Sequence, residues 1–293
     1  MSLPEVQRLE TRGLRWRALT AGSGPPLLLL HGAGASADSF LNLIPLLAND
    51  WRILAPDLPG HGGTRSASPN RAGLASMAED IAELVNAEFE TPVAIISHSA
   101  GGAISLALDP ILKPGSHVLI NPALTPFDGA AGWLFPKLAQ ALAAAPFAAN
   151  VLSRTIGTDQ RIRSLLGSTG SQTSAEMVGL YMRLASDPHH IQGTLRMMAQ
   201  WDISQLHTTF PELSGMVWML LAENDRTVAP EHAELMSKKM PAAIVHRVSG
   251  GHLVHEESAE LVASEINNAL MPQTGRSHLV LDRRTNSRRS DPT

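Results

Sequence analysis

The junction between residues 93–96 and residues 97–102 constrains the fold of this chain more than any other segment. The first part is the apolar run Val-Ala-Ile-Ile, and the second reads Ser-His-Ser-Ala-Gly-Gly. The second part matches the pattern G-x-S-x-G with Ser97 in place of the first glycine. In such a turn the serine hydroxyl projects above a sheet, and small residues such as Gly101 are needed because strand and helix nearly collide. The sequence therefore predicts a strand, a tight turn with a nucleophile at Ser99, and a helix. A small-residue turn without chemistry is the alternative.

A second short apolar run, Leu27–Leu30, stands between two prolines and the sequence His-Gly-Ala-Gly at residues 31–34. A run this short, bounded by residues that break helices, predicts a buried parallel strand. The loop after it is expected to supply an oxyanion hole together with the turn, through the backbone N–H groups of Ala33 and Ala100. The residues expected to shape this loop are His31, Gly32 and Gly34. The alternative is a tight turn that only lets the chain leave the sheet.

A nucleophilic serine needs a general base that is held by a third group, and the expected order along the chain is serine, acid, histidine. The apolar run Val217–Leu221 predicts a strand that is followed by Asp225. The run Ile244–Val248 predicts another strand that is followed by His252. Because catalytic groups collect at the carboxyl ends of parallel strands, Asp225 and His252 are predicted to complete a triad with Ser99.

Other titratable residues are weaker candidates. Glu223 ends the same strand as Asp225 and is expected to be a polar neighbour, and His98 is expected to pack below the nucleophile. His255 is predicted to start a solvated helix, His61 to shape the rim of a turn-rich loop, and residues 189–190 to lie at the surface. No pair of the twelve histidines has a ligand spacing with converging carboxylates, so neither a metal nor another cofactor is expected.

Composition narrows the class of protein. The chain has 293 residues, no cysteine and a formal net charge of −4. Nucleic-acid binding is therefore not indicated, and disulfides and thiolate chemistry are excluded. The amino-terminal residues lack the pattern of a signal peptide, and no apolar run reaches the ~20 residues of a spanning helix. We expect a cytoplasmic protein without a transmembrane segment.

Predicted strands and helices alternate along most of the chain, which indicates an α/β fold with a mostly parallel, doubly wound sheet. One helix is predicted from Asp38 to Leu47. A second is predicted to start at Ser76 with a capping box that includes Glu79. A third follows the turn at Ser99, and a last one spans Leu261–Leu270.

The alternation stops for roughly ninety residues after the predicted strand Val118–Ile120, which is too long for a loop. We therefore predict an inserted helical cap at residues 123–210. The ranges 1–122 and 211–271 would form the two parts of the core, and 272–293 a disordered, weakly basic tail. Within the cap, Leu138–Ala149 is predicted to be helical and broken by Pro146.

Adaptable apolar side chains recur in the predicted cap and include Met177, Met182, Met197, Met198 and Trp201. Most of them are expected to form the cap's own small core. The alternative is a lining for a large, flat or apolar ligand. Peripheral contact with a membrane surface is a further alternative for the apolar cap helix, although that helix lacks a basic face.

Five cap and loop segments carry a resemblance to a known family: residues 120–127, 167–171, 179–184, 197–202 and 223–228. With the serine turn and the His-Gly loop, residues 13–271 resemble the α/β-hydrolase superfamily, in the branch with an inserted lid. Within that branch the chain resembles the magnesium-chelatase accessory proteins of bacteriochlorophyll biosynthesis. The resemblance implies the α/β-hydrolase fold and places the family's triad on Ser99, Asp225 and His252.

The same resemblance implies a role in photosynthetic pigment synthesis, near magnesium insertion into protoporphyrin IX. A small apolar or tetrapyrrole ligand and the magnesium chelatase subunits are the partners it implies. One hypothesis is a serine hydrolase that cleaves an ester. The alternatives are a non-catalytic porphyrin-binding or chelatase-assisting protein, a general carboxylesterase, and a cofactor-free haloperoxidase-like enzyme. An epoxide hydrolase or dehalogenase is disfavoured because it would need an aspartate at Ser99.

Overall fold

One nine-stranded sheet organises the part of the chain that this computed structural model describes, which is residues 3–11, 13–66, 68–126, 129–145 and 147–270. The strands are β1 (Glu5–Thr11), β2 (Leu14–Ala21), β3 (Pro26–Leu30), β4 (Arg52–Pro56), β5 (Arg65–Ser66), β6 (Ala94–His98), β7 (Ser116–Ile120), β8 (Met216–Ala222) and β9 (Ala243–Val248). Their order is β1-β2-β4-β3-β6-β7-β8-β9, with β5 paired to β2. β2 is antiparallel to β1, β4 and β5, whereas the neighbouring strands β4, β3, β6, β7, β8 and β9 pair in parallel.

The central strands are apolar because helices cover both of their faces. Every residue of Leu27–Leu30 in β3 is fully buried, as predicted for a parallel strand in the middle of a sheet. Leu30 pairs with Ser97 of β6, and Ile120 of β7 pairs with both His98 and Leu220 of β8. These registers align the carboxyl ends of the strands, so the loops that follow the strands lie together at one edge of the sheet.

The helices follow the strands in the predicted alternation. They are α1 (Ile44–Leu47), α2 (Leu74–Glu88), α3 (Ala100–Leu112), α4 (Gly129–Ala144), α5 (Ala148–Ile156), α6 (Asp159–Ser168), α7 (Ala175–Ala185), α8 (Pro188–Gln200), α9 (Pro230–Ser237), α10 (Val254–Glu257) and α11 (Ala259–Leu270). Leu27 and Leu29 of β3 pack with α1 and α11 on one face. Leu28 and Leu30 pack with α2 and α3 on the other face.

Two predicted helix starts are wrong. The helix predicted from Asp38 to Leu47 is a 3₁₀ turn, Ala37–Phe40, followed by the short α1, because Pro45 has no N–H to continue a helix from the preceding turn. The capping box predicted from Ser76 to Glu79 is absent, since α2 begins earlier, with Gly73 as its N-cap. The Glu79 carboxylate instead accepts a hydrogen bond from Arg71.

The segment between β7 and β8 is helical and contains α4 to α8 with two 3₁₀ turns, Leu206–Thr208 and Phe210–Glu212. The helix predicted over Leu138–Ala149 is divided between α4 and α5. Pro146 and the predicted tail lie outside the described residues. Within the described part, no helix has the length and apolarity that crossing a membrane requires.

Met177 and Met197, two methionines of the helical segment between β7 and β8, are both buried, but only Met177 has the expected position in a cluster of that segment's own. Met177 packs in a small cluster with Ile162, Leu166 and Val178, and this cluster also includes Leu253. Met197 is buried against the face of the sheet that α2 and α3 cover. The helical segment between β7 and β8 is therefore joined to the rest of the protein by apolar contacts in two clusters.

Candidate active site

Ser99 lies in the tight turn between β6 and α3, with a φ of 53° and a ψ of −119°. A non-glycine residue in such a conformation costs on the order of 1–3 kcal/mol and persists only where its surroundings hold it. The Ser99 N–H donates to the Ile120 carbonyl at 3.0 Å, and its own carbonyl accepts from Gly102 and Ala123. These hydrogen bonds hold the strained turn and leave the hydroxyl partly exposed at the end of the sheet.

Close packing around the turn explains its small residues. A Cβ atom on Gly101 would lie 2.5 Å from the Leu30 carbonyl oxygen, and one on Gly102 would lie 2.7 Å from Cβ of Pro122. Ser97 is fully buried, and its hydroxyl lies 3.5 Å from the Val118 carbonyl oxygen. Strand and helix therefore approach each other as the sequence predicted.

A hydrogen-bonded chain joins the three predicted triad residues. The Nε2 atom of His252 lies 3.1 Å from Oγ of Ser99, and its Nδ1 atom lies 2.7 Å from Oδ2 of Asp225. The other oxygen of Asp225 accepts from the N–H groups of Thr227 and Val228. Because the carboxylate accepts the Nδ1 proton, Nε2 is left free to accept a proton from the serine.

The His-Gly loop lies directly beside the serine. A Cβ atom on Gly32 would be 3.0 Å from Cβ of Ser99, so the two backbones are in close contact. The turn is closed by the Ala35 N–H, which donates to the Gly32 carbonyl, and Gly34 has a φ of +74°. In the described part of the chain, the N–H groups of Ala33 and Ala100 donate to no acceptor. They are free to bind a negatively charged oxygen.

His31 braces this loop. Its Nδ1–H donates to the Gly32 carbonyl at 2.8 Å, and its Nε2 accepts from the Leu58 N–H at 2.9 Å. Burial lowers the pKa of His31, so the ring stays neutral in the arrangement that both hydrogen bonds require. Its position fits a supporting role.

Asn121 is a site residue that sequence reasoning did not identify as functional. Its Nδ2 donates to the carbonyls of Gly251 and His252 at 3.1 and 3.0 Å, and its Oδ1 accepts from the Ala222 N–H at 2.7 Å. One side chain thus links the strand before Asp225 to the loop that carries the base. The sequence feature that could have identified Asn121 is its position, since this polar residue directly follows the predicted strand β7.

Glu223 and His98, polar residues near the triad residues in sequence, have the positions that the sequence predicted. Glu223 is exposed and takes no part in the hydrogen-bonded chain. His98 is buried below the serine, and its Nε2–H donates to the His252 carbonyl at 2.8 Å. His98 therefore supports the base through the backbone.

Two histidine predictions are wrong. His255 is fully buried, with its ring 4.2 Å from that of His98, and burial lowers its pKa to about 3. His190 was expected at the surface, but it is buried, accepts from the Gly62 N–H at 3.0 Å and packs edge-on against His61. Residues that are distant in sequence contact both side chains, and local polarity does not reveal such contacts.

A second Ser-His-Asp set shows why accessibility matters. The hydroxyl of Ser105 lies 2.8 Å from Nδ1 of His117, whose Nε2 lies 2.9 Å from Oδ1 of Asp109. Ser105 and His117 are both 0% exposed. This set joins α3 to β7 inside the protein, where no substrate can reach it. Among the described residues no cluster suited to a metal ion occurs.

Comparison with known proteins gives the same architecture. The sequence model of the alpha/beta hydrolase family matches residues 27–265. The solved structure of the epoxide hydrolase CorEH has a TM-score of 0.75 at 22% identity and covers 90% of this chain and 98% of that chain. An alpha/beta hydrolase fold protein from Burkholderia ambifaria has a TM-score of 0.74 at 20% identity, with 89% and 97% covered. At these identities the likeness shows the fold alone.

A curated relative is much more similar in sequence. The "Magnesium-chelatase 30 kDa subunit" of Rhodobacter capsulatus is 43% identical over 247 residues, which cover 84% of this chain and 87% of the relative. A match of this length must include part of the helical segment between β7 and β8. The chain belongs to the alpha/beta hydrolase family and is, within it, a homologue of the 30 kDa magnesium-chelatase subunit.

Proposed function

We propose that this chain acts beside magnesium chelatase in bacteriochlorophyll biosynthesis and that it does so as a serine hydrolase of esters. The observation that carries the catalytic part is the hydrogen-bonded chain from Asp225 through His252 to Ser99. The pathway part is supported by the near full-length similarity to a protein named as a chelatase subunit. In this proposal residues 123–210 form a cap above the core parts 1–122 and 211–271.

The reaction begins when Oγ of Ser99 attacks the ester carbonyl carbon and its proton passes to Nε2 of His252. Asp225 stabilises the resulting imidazolium, and the N–H groups of Ala33 and Ala100 hold the oxyanion. His252 then gives its proton to the leaving alcohol, and the acyl group remains on the serine. A water molecule, deprotonated by His252, attacks the acyl group, releases the carboxylic acid and restores the serine hydroxyl.

The substrate we propose is an apolar ester, with an ester side chain of a tetrapyrrole as the first candidate. The apolar side chains of the cap support this choice, because apolar linings accept large flat ligands. The chelatase subunits are the proposed protein partners.

A second function is favoured by one observation: the name of the relative describes a subunit of a chelatase and no hydrolase. In this alternative the chain binds a porphyrin or assists the chelatase, and Ser99 is chemically unused. Replacing Ser99 by alanine in a pigment-producing strain separates the two. Loss of bacteriochlorophyll in this variant supports hydrolysis. Unchanged pigment supports the alternative in which the chain is a non-catalytic carrier of a porphyrin or a chelatase-assisting protein.

The direct test of hydrolysis is labelling of the purified protein with a fluorophosphonate probe, followed by mass spectrometry of the modified peptide. We expect wild type to be modified at Ser99 and the Ser99→Ala variant to remain unlabelled. Ser105→Ala is the matched control, because Ser105 also contacts a histidine but is sealed in the core, and it should label like wild type. If folded wild type does not label, hydrolysis is contradicted, and titration with protoporphyrin IX tests the carrier.

A further inference from the structure

The first four residues of the loop between α6 and α7, Thr169–Gln172, contact both of the loops that carry the triad's acid and base. We refer to these four residues as the cap loop. The Thr169 carbonyl accepts from the Arg226 N–H at 3.1 Å and from the His252 N–H at 3.3 Å. Arg226 directly follows Asp225. One carbonyl of the cap therefore bridges the acid loop and the base itself.

The next residues of the cap loop hold both neighbours of His252. The Ser171 hydroxyl is buried and accepts from the Leu253 N–H at 2.8 Å. The Gln172 N–H donates to one carboxylate oxygen of Glu257 at 2.9 Å, and the other oxygen accepts from the Gly251 N–H at 2.6 Å. The backbone N–H groups of Gly251, His252 and Leu253 are thus all held by hydrogen bonds that connect them, directly or through Glu257, to the cap loop.

Backbone packing makes this junction rigid. Gly170 has a φ of +85°, and a Cβ atom on it would lie 1.9 Å from the Asn224 carbonyl oxygen. A Cβ atom on Gly251 would lie 2.3 Å from the carbonyl carbon of Gly170. No flexible side chain separates the cap loop from the two triad loops, so a displacement of one must move the others.

We propose that the cap loop sets the position of the catalytic base and that Ser171 is a positioning residue for His252. This inference rests on the proposed function, since it concerns the same site. In this inference the position of the cap relative to the core determines the alignment of Ser99, His252 and Asp225. A change in the cap that withdraws Ser171 lengthens the contact between His252 and Ser99.

The core holds His252 from the opposite side, which separates positioning from folding. Asn121 and His98 both donate to the His252 carbonyl. When the Ser171 hydrogen bond is lost, the Leu253 N–H is released, while the carbonyl and the N–H of His252 keep their partners. The imidazole then rotates away from its productive geometry although the loop remains folded.

The test compares Ser171→Ala with Ser171→Thr, which keeps a hydroxyl. Ser153→Ala is the matched control, because Ser153 is an equally buried cap serine whose hydroxyl donates only within its own helix, to Asn150. The first measurement is the low-field proton resonance of the His252 Nδ1–H, assigned by its loss in Asp225→Asn. The second is the rate of fluorophosphonate labelling.

We expect Ser171→Ala to shift or broaden the low-field resonance and to slow labelling about tenfold, which corresponds to the loss of one hydrogen bond. Ser171→Thr should restore both, and Ser153→Ala should leave both unchanged. If Ser171→Ala does not fold, Glu257→Gln serves as a milder second variant. An amide has only one acceptor oxygen, so this variant leaves the N–H of either Gly251 or Gln172 without an acceptor. It should shift the resonance in the same direction as Ser171→Ala.

An unchanged resonance in Ser171→Ala, or in Glu257→Gln when that variant is used, overturns the proposal even if stability falls. Failure of Ser171→Thr to restore the resonance also overturns it. If wild type does not label but Ser171→Ala still alters the resonance, the proposed hydrolysis fails while the positioning role stands. The two proposals are therefore separable.

Discussion

Gly32 and Ser99 approach so closely that a Cβ atom on the glycine would lie 3.0 Å from Cβ of the serine. The same added atom would lie 3.1 Å from Nδ1 of His98. The backbone of the His-Gly loop therefore packs directly against the serine turn. The position of the Ala33 N–H beside Ser99 depends on this contact.

We predict that Gly32→Ala slows fluorophosphonate labelling by about 10²-fold, because the added methyl group displaces one oxyanion donor. Labelling kinetics of the purified variant give the measurement. Gly167→Ala is the matched control, since a Cβ atom at that exposed cap-helix position meets nothing within 4 Å. Equal labelling rates in the two variants would show that the loop does not bind the oxyanion.

The parallel core strands and the places of the triad residues could be predicted from the sequence because their signals are local. A short apolar run ended by glycine or a polar residue defines a strand such as β3, and the fold requires catalytic groups after such strands. The prediction of Asp225 and His252 needed only the chain order of two strands and the polar loops behind them.

Residues that hold the site through distant contacts could not be found in this way. Asn121 binds the backbone of His252, and Ser171 binds that of Leu253, across more than eighty positions of sequence in each case. No local pattern encodes such a pairing. The burial of His255 was missed for a related reason, because its polar neighbours suggested solvent while Phe40 and His98 enclose it.

Asp225→Asn should lower the labelling rate by about 10³–10⁴-fold while the fold is kept. Because Oδ1 accepts from Thr227 and Val228, an asparagine oxygen stays there and the amide nitrogen faces Nδ1 of His252. The imidazole must then carry its proton on Nε2, where it cannot accept the proton of Ser99. Labelling rates measure the loss, with exposed Asp202→Asn as the control, and a reduction below tenfold would contradict the assigned role.

Asn121→Ala should destabilise the protein by roughly 2–4 kcal/mol, because the buried Ala222 N–H and the Gly251 carbonyl each lose the partner that Asn121 provides. Its φ of 44° adds backbone strain for alanine. Asn121→Gly removes the same hydrogen bonds without that strain and should be about 1 kcal/mol more stable than the alanine variant. Chemical denaturation measures both values. Identical stability of the two variants would rule out the strain contribution.

Glu256 provides a prediction about pH. The Tyr181 hydroxyl donates to Glu256 at 2.7 Å, and burial raises the pKa of this carboxyl from 4.5 to about 8. A carboxyl with a higher pKa in the folded chain holds its proton more tightly when folded. Its contribution to stability is therefore full below pH 4.5 and is lost as the pH rises towards 8.

Glu256→Gln should remove this loss, because a neutral amide has no charge to desolvate. We expect the unfolding free energy of the variant to gain ~3 kcal/mol relative to wild type between pH 5 and pH 8. Denaturation curves across this range give the difference in unfolding free energy between the variant and wild type. The buried histidines are present in both proteins, so their contributions cancel in this difference. Exposed Glu260→Gln removes an equal charge from the neighbouring helix α11 and should track wild type at every pH. A constant difference between Glu256→Gln and wild type would mean that the carboxyl is already ionised at pH 5 and that solvent reaches it.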